Sequence, residues 1–217
     1  MRKILSNFSR IKLTIISDTH MRHNELGTLK GDVLIHCGDM FDLFENSPDD
    51  IENVDAWFGR QKFDLILCIG GNHDRALERR GDKTTPFFKN AIYLEDETYL
   101  YKGLTFYGTP WVPFLKGHAF YADSKVLQEK WLKIPAETDV LITHTPPASI
   151  FDRSSRGHNL GCPTLANRVV EVAPKIHCYG HVHAAGGVSK KFGTTYINAS
   201  SADRPEGRLR SPVKLKI

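Results

Sequence analysis

The sequence predicts a layered α/β protein with mixed sheets. Nearly continuous apolar runs at 12–17, 32–37 and 63–69 read as strands covered on both faces. A helical pattern lies between the second and third runs, so strand, helix and strand make a βαβ unit with parallel pairing. Polar clusters follow directly after these runs and after two later ones, as ligand-binding groups do beyond the carboxyl ends of strands.

Each element has a local cause. Run 12–17 ends on Asp18-Thr19-His20, and run 32–37 on Gly38-Asp39. Ser47 is a good N-cap, Pro48 fits the first helical position, and Asp49 and Asp50 suit the positive end of a helix dipole. Ile51, Val54 and Trp57 with Phe58 then recur at helical spacing. Run 63–69 leads into Gly70 and Gly71-Asn72-His73-Asp74. Segments 98–101 and 104–107 flank Lys102-Gly103, a hairpin turn. A helix over about 124–133 places Val126, Leu127 and Trp131 on one side. Strand 140–143 ends at Thr143-His144. Pro163 starts a helix over 164–172, closed by Pro174. Strand 176–179 feeds Gly180-His181-Val182-His183. Segments 188–191 and 194–198 form a closing hairpin around Phe192-Gly193, and 213–217 is an edge strand.

Length suits one α/β domain over residues 1–217. A net charge of +4 suits an anionic substrate. The basic residues are scattered, with small groups at Glu78-Arg79-Arg80 and from Arg204 to Arg210, so no basic stripe points to nucleic acid. Cys37, Cys68, Cys162 and Cys178 form no CxxC pair, and Cys37 and Cys68 lie in apolar runs as small buried thiols. That usage fits a reducing compartment. The basic start Met1 to Phe8 lacks the apolar stretch of a signal peptide, and no run has the length of a membrane helix. A cytoplasmic protein is the expectation.

The clusters supply Asp18, Asp39 and Asn72 as oxygen donors and His20, His144, His181 and His183 as imidazoles, with His73 to spare. Asp18 with His20, and His181 with His183, alternate as an extended segment would present them to one ion. Asp39 after a glycine can bridge two ions with its two oxygens. A mixed nitrogen and oxygen set without thiolate favours manganese, iron, zinc, nickel or cobalt over calcium. A pair of such cations is a device for displacement at phosphorus. Any one cluster is a weak signal, but all of them in this order, each after an apolar run, are not.

The order Asp18-Thr19-His20, Gly38-Asp39, Gly71-Asn72-His73-Asp74, His144 and Gly180-His181-Val182-His183 resembles the calcineurin-like metallophosphoesterases over nearly the whole chain. Tyr107-Gly108-Thr109-Pro110-Trp111, the stretch from Leu141 to Pro147, Gly161-Cys162 and the stretch from Tyr196 to Ser200 are similar to the metallophosphoesterase-domain-containing subfamily. The resemblance implies a four-layer αββα sandwich. It also implies two divalent transition-metal ions, manganese first among the choices. Asp18, His20, Asp39 and His183 would hold the first; Asp39, Asn72, His144 and His181 the second. His73 would stand beside them. Some members of that subfamily carry glycine in place of His181; here the histidine is present.

The expected chemistry is hydrolysis of small phosphodiesters, cyclic nucleotides among them, by a hydroxide held between the cations. His73 would stabilise charge or protonate the departing oxygen. Asp74 either orients His73 or N-caps a helix over 75–80. His23 contacts substrate or lies in a loop. Asp152, Arg153, Arg156 and His158 form a polar loop that could cover the site and pair with phosphate. Trp111 and Phe114 could stack on a base or pack against the sandwich. His36, His177 and His118 need only core or surface roles. Phosphomonoesterase or protein phosphatase activity, or a metal- and nucleotide-binding scaffold, are the alternatives.

Overall fold

The computed structural model of the protein describes residues 10–42, 46–79, 85–203 and 207–217. The start Met1 to Phe8, Arg80 and Arg204 lie outside them. Two mixed sheets stack face to face with helices on both outer sides, giving the expected αββα order.

The first sheet has β1 (Lys12–Ile16), β2 (Val33–His36), β3 (Leu65–Cys68) and β4 (Ile92–Tyr93) in parallel. The second opens with the antiparallel hairpin β5 (Glu97–Tyr101) and β6 (Leu104–Thr109). β7 (Val140–Thr143), β8 (Ile176–Tyr179) and β10 (Thr194–Asn198) continue it in parallel, and β9 (Gly187–Lys191) closes it antiparallel. The final strand, β11 (Val213–Lys216), pairs antiparallel with β1 at the outer edge of the first sheet. Only the two-residue β4 has no counterpart in the sequence reading.

The strands alternate as a two-faced sheet requires. Leu13, Ile15, Val33, Ile35, Leu65 and Leu67 face Phe106, Val140, Ile142, Ile176, Cys178 and Ile197 between the sheets. The opposite residues of the first sheet, Ile16, Leu34, Ile66 and Cys68, cover Val54, Trp57 and Phe58 of α1 (Pro48–Gly59). That helix starts as expected, with a capping box between Ser47 and Asp50. A second helix, α2 (Arg75–Glu78), is a single turn. On the far side, Tyr107, Leu141, Tyr179 and Tyr196 pack on α3 (Ser124–Leu132) and α4 (Pro163–Val172). Val126 does not join Leu127 and Trp131 in that core; it is 38% exposed. α4 ends on Ala173 in the left-handed conformation, one residue before Pro174.

Two histidines sit within this packing. His36 of β2 faces Phe58 and bonds Thr19 Oγ1 at 2.9 Å. His177 of β8 lies among Tyr179 and Tyr196, its Nε2 2.9 Å from Thr143 Oγ1. The Thr143 hydroxyl already donates to the Thr145 carbonyl, so His177 must donate to it. Burial pushes both imidazoles down to about 3.

The folded protein therefore keeps His36 and His177 neutral where the unfolded chain, with an ordinary value of 6.5, binds protons. Between those values the unfolded state takes up more protons, so stability must fall as pH drops from about 6.5 toward 3. The slope is about 1.4 kcal/mol per pH unit for each group. Chemical denaturation across that range should show it, with a shallower slope in His177→Gln. An unchanged slope in that variant would remove His177 from the account.

Candidate metal centre

Parallel strands end at one mouth, and β1, β2, β3, β7 and β8 deliver all five polar clusters there. A parallel bridge from Ser17 to Ser200 joins the two sheets at this edge. Gly38 lets the turn after β2 close: its φ is 93° and a Cβ there would strike the Gly70 carbonyl. At Gly180 a Cβ would strike Ser17 and the Asp18 carboxylate.

Ligand atoms from Asp18, His20, Asp39 and His183 lie within 4.8 Å of one another. His20 Nε2 is 3.2 Å from His183 Nε2, and His183 Nε2 is 3.3 Å from Asp18 Oδ1. A second group adjoins it. Asn72 Oδ1 is 2.8 Å from His181 Nδ1 and 3.0 Å from His144 Nε2, and His144 Nε2 is 3.3 Å from Asp39 Oδ2. Asp39 thus stands between the two groups. His181 and His183, two positions apart, go to different groups.

Asp18 and His20 are not extended, contrary to the sequence reading. Their φ values are 52° and 43°, and Asp39 and His181 are also left-handed at 53° and 67°. Such backbone in non-glycine residues costs on the order of 1–3 kcal/mol each and persists where surrounding structure imposes it.

The donor chemistry fits cations. His144 Nδ1 lies 2.8 Å from the Cys37 carbonyl and His20 Nδ1 lies 3.2 Å from the Phe41 carbonyl. Each Nδ1 must donate there, which turns the Nε2 lone pairs inward. His144 Nε2 then faces the Asn72 oxygen, and two acceptors at 3.0 Å need a positive charge between them. Without a metal a proton does this work. Burial opposes charging His144, but the Asp39 carboxylate, with Asp18 behind it, outweighs burial and lifts the imidazole to about 9. His181, buried and close to the charged His144, is pushed down to about 3. Burial alone would raise Asp18, but His183 holds it well below the usual carboxylate range. His144 does the same for Asp39 against its burial.

His73 lies beside the shared carboxylate. Its backbone N–H donates to Asp39 Oδ1 at 2.8 Å, and its Nε2 is 3.9 Å from Oδ2. Its ring is 4.7 Å from that of His20 and 6.3 Å from that of His118. His118 reaches this place because its loop is fastened to the Asn72 turn. Ala119 N donates to the Asn72 carbonyl at 3.1 Å, and Phe120 N to Glu78 at 2.7 Å. The sequence reading left His118 to a core or surface role, and no local pattern could have placed it here.

Several expectations need correction. Asp74 neither orients His73 nor caps α2. Its Oδ1 accepts from Phe41 N at 3.0 Å and its Oδ2 from Gly71 N at 2.8 Å, so both oxygens are spent fastening the Gly71 turn to the segment after Asp39. His23 does not face the mouth. It is buried in a 3-10 turn, bonded to Asn53 Oδ1 at 3.0 Å and packed on Trp57. Arg153 and His158 project from an exposed hairpin, where Arg153 bridges Asn159 and His158 bonds Ser154. These contacts are made by the main chain of Arg153 and His158, and both residues are exposed. Trp111 is held by Asp96 through its Nε1 at 2.9 Å and carries Lys130 on its face at 3.8 Å. Phe114 stands out from the sandwich and is 67% exposed.

Asp74→Ala would orphan two buried backbone donors. It should lower unfolding free energy by about 2–5 kcal/mol, measured by denaturant titration. A loss under about 0.5 kcal/mol, typical of a surface change, would contradict this fastening role.

A family model described as calcineurin-like phosphoesterase matches residues 11–185. Human metallophosphoesterase domain-containing protein 1 is 31% identical over 215 residues, covering 87% of this chain and 65% of that protein. This chain thus spans less than two thirds of the human relative. A Caenorhabditis elegans UPF0046 protein is 34% identical, covering 94% of this chain and 78% of its own. Among solved structures, a Thermus thermophilus protein aligns with TM-score 0.63 at 10% identity, covering 96% of this chain and 99% of that one. Phosphopantetheinyl hydrolase from Mycobacterium tuberculosis aligns with TM-score 0.55 at 16% identity, covering 88% and 89%. These likenesses share the layered fold described above. The matched span holds every strand end that carries a donor, and the chain belongs to the calcineurin-like phosphoesterase family.

Proposed function

We propose that this chain hydrolyses small phosphodiesters, cyclic nucleotides among them, at a centre for two divalent cations, manganese by preference. The observation that carries the reading is the sharing of Asp39 between two donor groups with His73 alongside. Asp18, His20, Asp39 and His183 would hold one cation, and Asp39, Asn72, His144 and His181 the other. When bound, such a pair supplies Lewis-acid activation of water and neutralisation of charge at phosphorus.

The chain's own residues do the rest. His144 and His20 present Nε2 because backbone carbonyls hold their Nδ1 atoms. His73 is tied to Asp39 through its backbone, so its ring keeps a fixed distance from the shared carboxylate. Burial lowers its proton affinity, which leaves a neutral imidazole able to donate one N–H to a phosphoryl or leaving oxygen. Diester preference is supported by charge. Among the described residues only imidazoles form ion pairs with Asp18 and Asp39. A diester monoanion asks for less neutralisation than a monoester dianion. Four unpaired, buried cysteines support a reducing compartment, the cytoplasm. Among the described residues, no helix is long and apolar enough to cross a membrane.

The direct test is turnover of the manganese-loaded protein on bis(p-nitrophenyl) phosphate, p-nitrophenyl phosphate, cyclic nucleotides and single-stranded DNA. Diester hydrolysis should lead; a preference for the monoester would overturn the substrate assignment. His73→Ala should retain both cations by elemental analysis and lose about 10²–10⁴-fold in kcat. Loss of the cations in that variant would make His73 a ligand instead. Asp39→Ala should lose at least one cation.

Metal uptake should also depend on pH. A cation at Asn72, His144 and His181 must displace the proton that His144 holds up to about 9. Below that value apparent affinity should rise about tenfold per pH unit, with about one proton released per cation bound there. Calorimetry in buffers of different ionisation heat reads this directly. No proton release at pH 7 would exclude His144 as a ligand.

A further inference from the structure

Beyond the matched span, the chain continues past Ala185 through β9, β10 and a C-terminal segment that returns to the mouth. One side chain of that segment, Arg210, reaches the donor set's backbone. Its Nη1 donates to the His183 carbonyl at 2.6 Å, the Ala202 carbonyl at 3.2 Å and the Ser200 carbonyl at 3.3 Å. Its Nη2 donates to Asp203 Oδ1 at 2.6 Å. Its own backbone N–H donates to Ser201, and Ser201 N–H donates to Ser17, the residue before Asp18. A Cβ on Gly186 would come within 2.8 Å of Nη1, so the guanidinium packs closely against the turn that carries His183.

The other ties on that turn meet at its start: Asn198 Nδ2 and Ala185 N both donate to the Val182 carbonyl at 3.0 Å. His183–Ala185 is a short 3-10 turn with no side-chain cap, and the His183 side chain is 38% exposed. Yet His183 Nε2 must meet Asp18 and His20 at 3.3 Å and 3.2 Å. The planar guanidinium holds the carbonyls through Nη1 while Asp203 fixes Nη2, a two-point geometry that a single ammonium does not reproduce. The segment is anchored at its far end by β11 on β1, so the fork pulls against a fixed point.

We propose that Arg210 is a positioning residue for the donor group of Asp18, His20, Asp39 and His183, acting through the His183 main chain. The assignment rests on the two-cation reading above. It predicts selective damage: loss of Arg210 weakens one cation and spares the other.

The test begins with metal-free wild-type protein titrated with manganese. Fewer than two bound ions would defeat the two-cation reading itself, whatever Arg210 does. Given two ions, Arg210→Ala should weaken one by about 10–100-fold, the range for groups that orient a ligand, and leave the other unchanged. Arg210→Lys, which keeps the charge without the fork, should show a smaller loss at the same ion and stands in should the alanine variant not fold. In a His183→Ala background, Arg210→Ala should add nothing. The proposal is overturned if both ions weaken alike, if neither changes, or if the Arg210 effect persists in full without His183.

Discussion

Two carboxylates stripped of water set the terms for this structure. Asp18 and Asp39 are 0% and 2% exposed, and a buried charge must be paired or lost. Among the described residues, their ion-pair partners are histidines: His183 for Asp18, and His144 with His73 for Asp39. An imidazole is a useful partner because it serves in two states. Protonated, it balances the carboxylate; deprotonated, it offers a lone pair to a cation. A proton and a cation would therefore compete for one place.

Holding that geometry falls to the sandwich. The inter-sheet core and the two outer cores bury nearly every strand residue that feeds the mouth, so the strand ends cannot drift. Only such a frame tolerates four left-handed non-glycine residues, Asp18, His20, Asp39 and His181, within one mouth. Asp74 adds a local tie between the Gly71 turn and the segment after Asp39. Asn198 adds another, donating to the Val182 carbonyl at 3.0 Å between the two histidines of the last cluster. Backbone carbonyls of Cys37 and Phe41 aim two of the imidazoles. The donors are thus fixed by main-chain contacts more than by one another.

The family-matched span ends at Ala185, but the mouth does not. The chain around residues 199–203 and 207–210 runs beside the Asp18 turn, with Ser201 bonded to Ser17 and Arg22 bonded to Gly207. This wall, with Arg210 within it, is a feature of the chain's own C-terminal part. On the opposite side, the loop carrying His118 closes against the Asn72 turn.

Much of this was legible in the sequence. Apolar runs of strand length, the Ser47 cap with Pro48, the glycine turn at 102–103 and the spacing of the polar clusters are all local patterns, and local patterns follow from steric and hydrogen-bonding rules that act within a few residues. The candidate donors were legible as residue types too, since a side chain's ligand chemistry travels with its type. What the sequence did not reveal depends on partners far away along the chain. Asp74 was spent on Phe41, 33 positions distant, and so was unavailable to its neighbour His73. His23 turned under α1 because Asn53 and Trp57 were there to receive it. The left-handed turns at Asp18 and Asp39, the meeting of His118 with His73 and the grip of Arg210 on His183 arise only when the sheets are stacked. Type and period are properties of neighbouring residues; direction and partnership are properties of the packed whole.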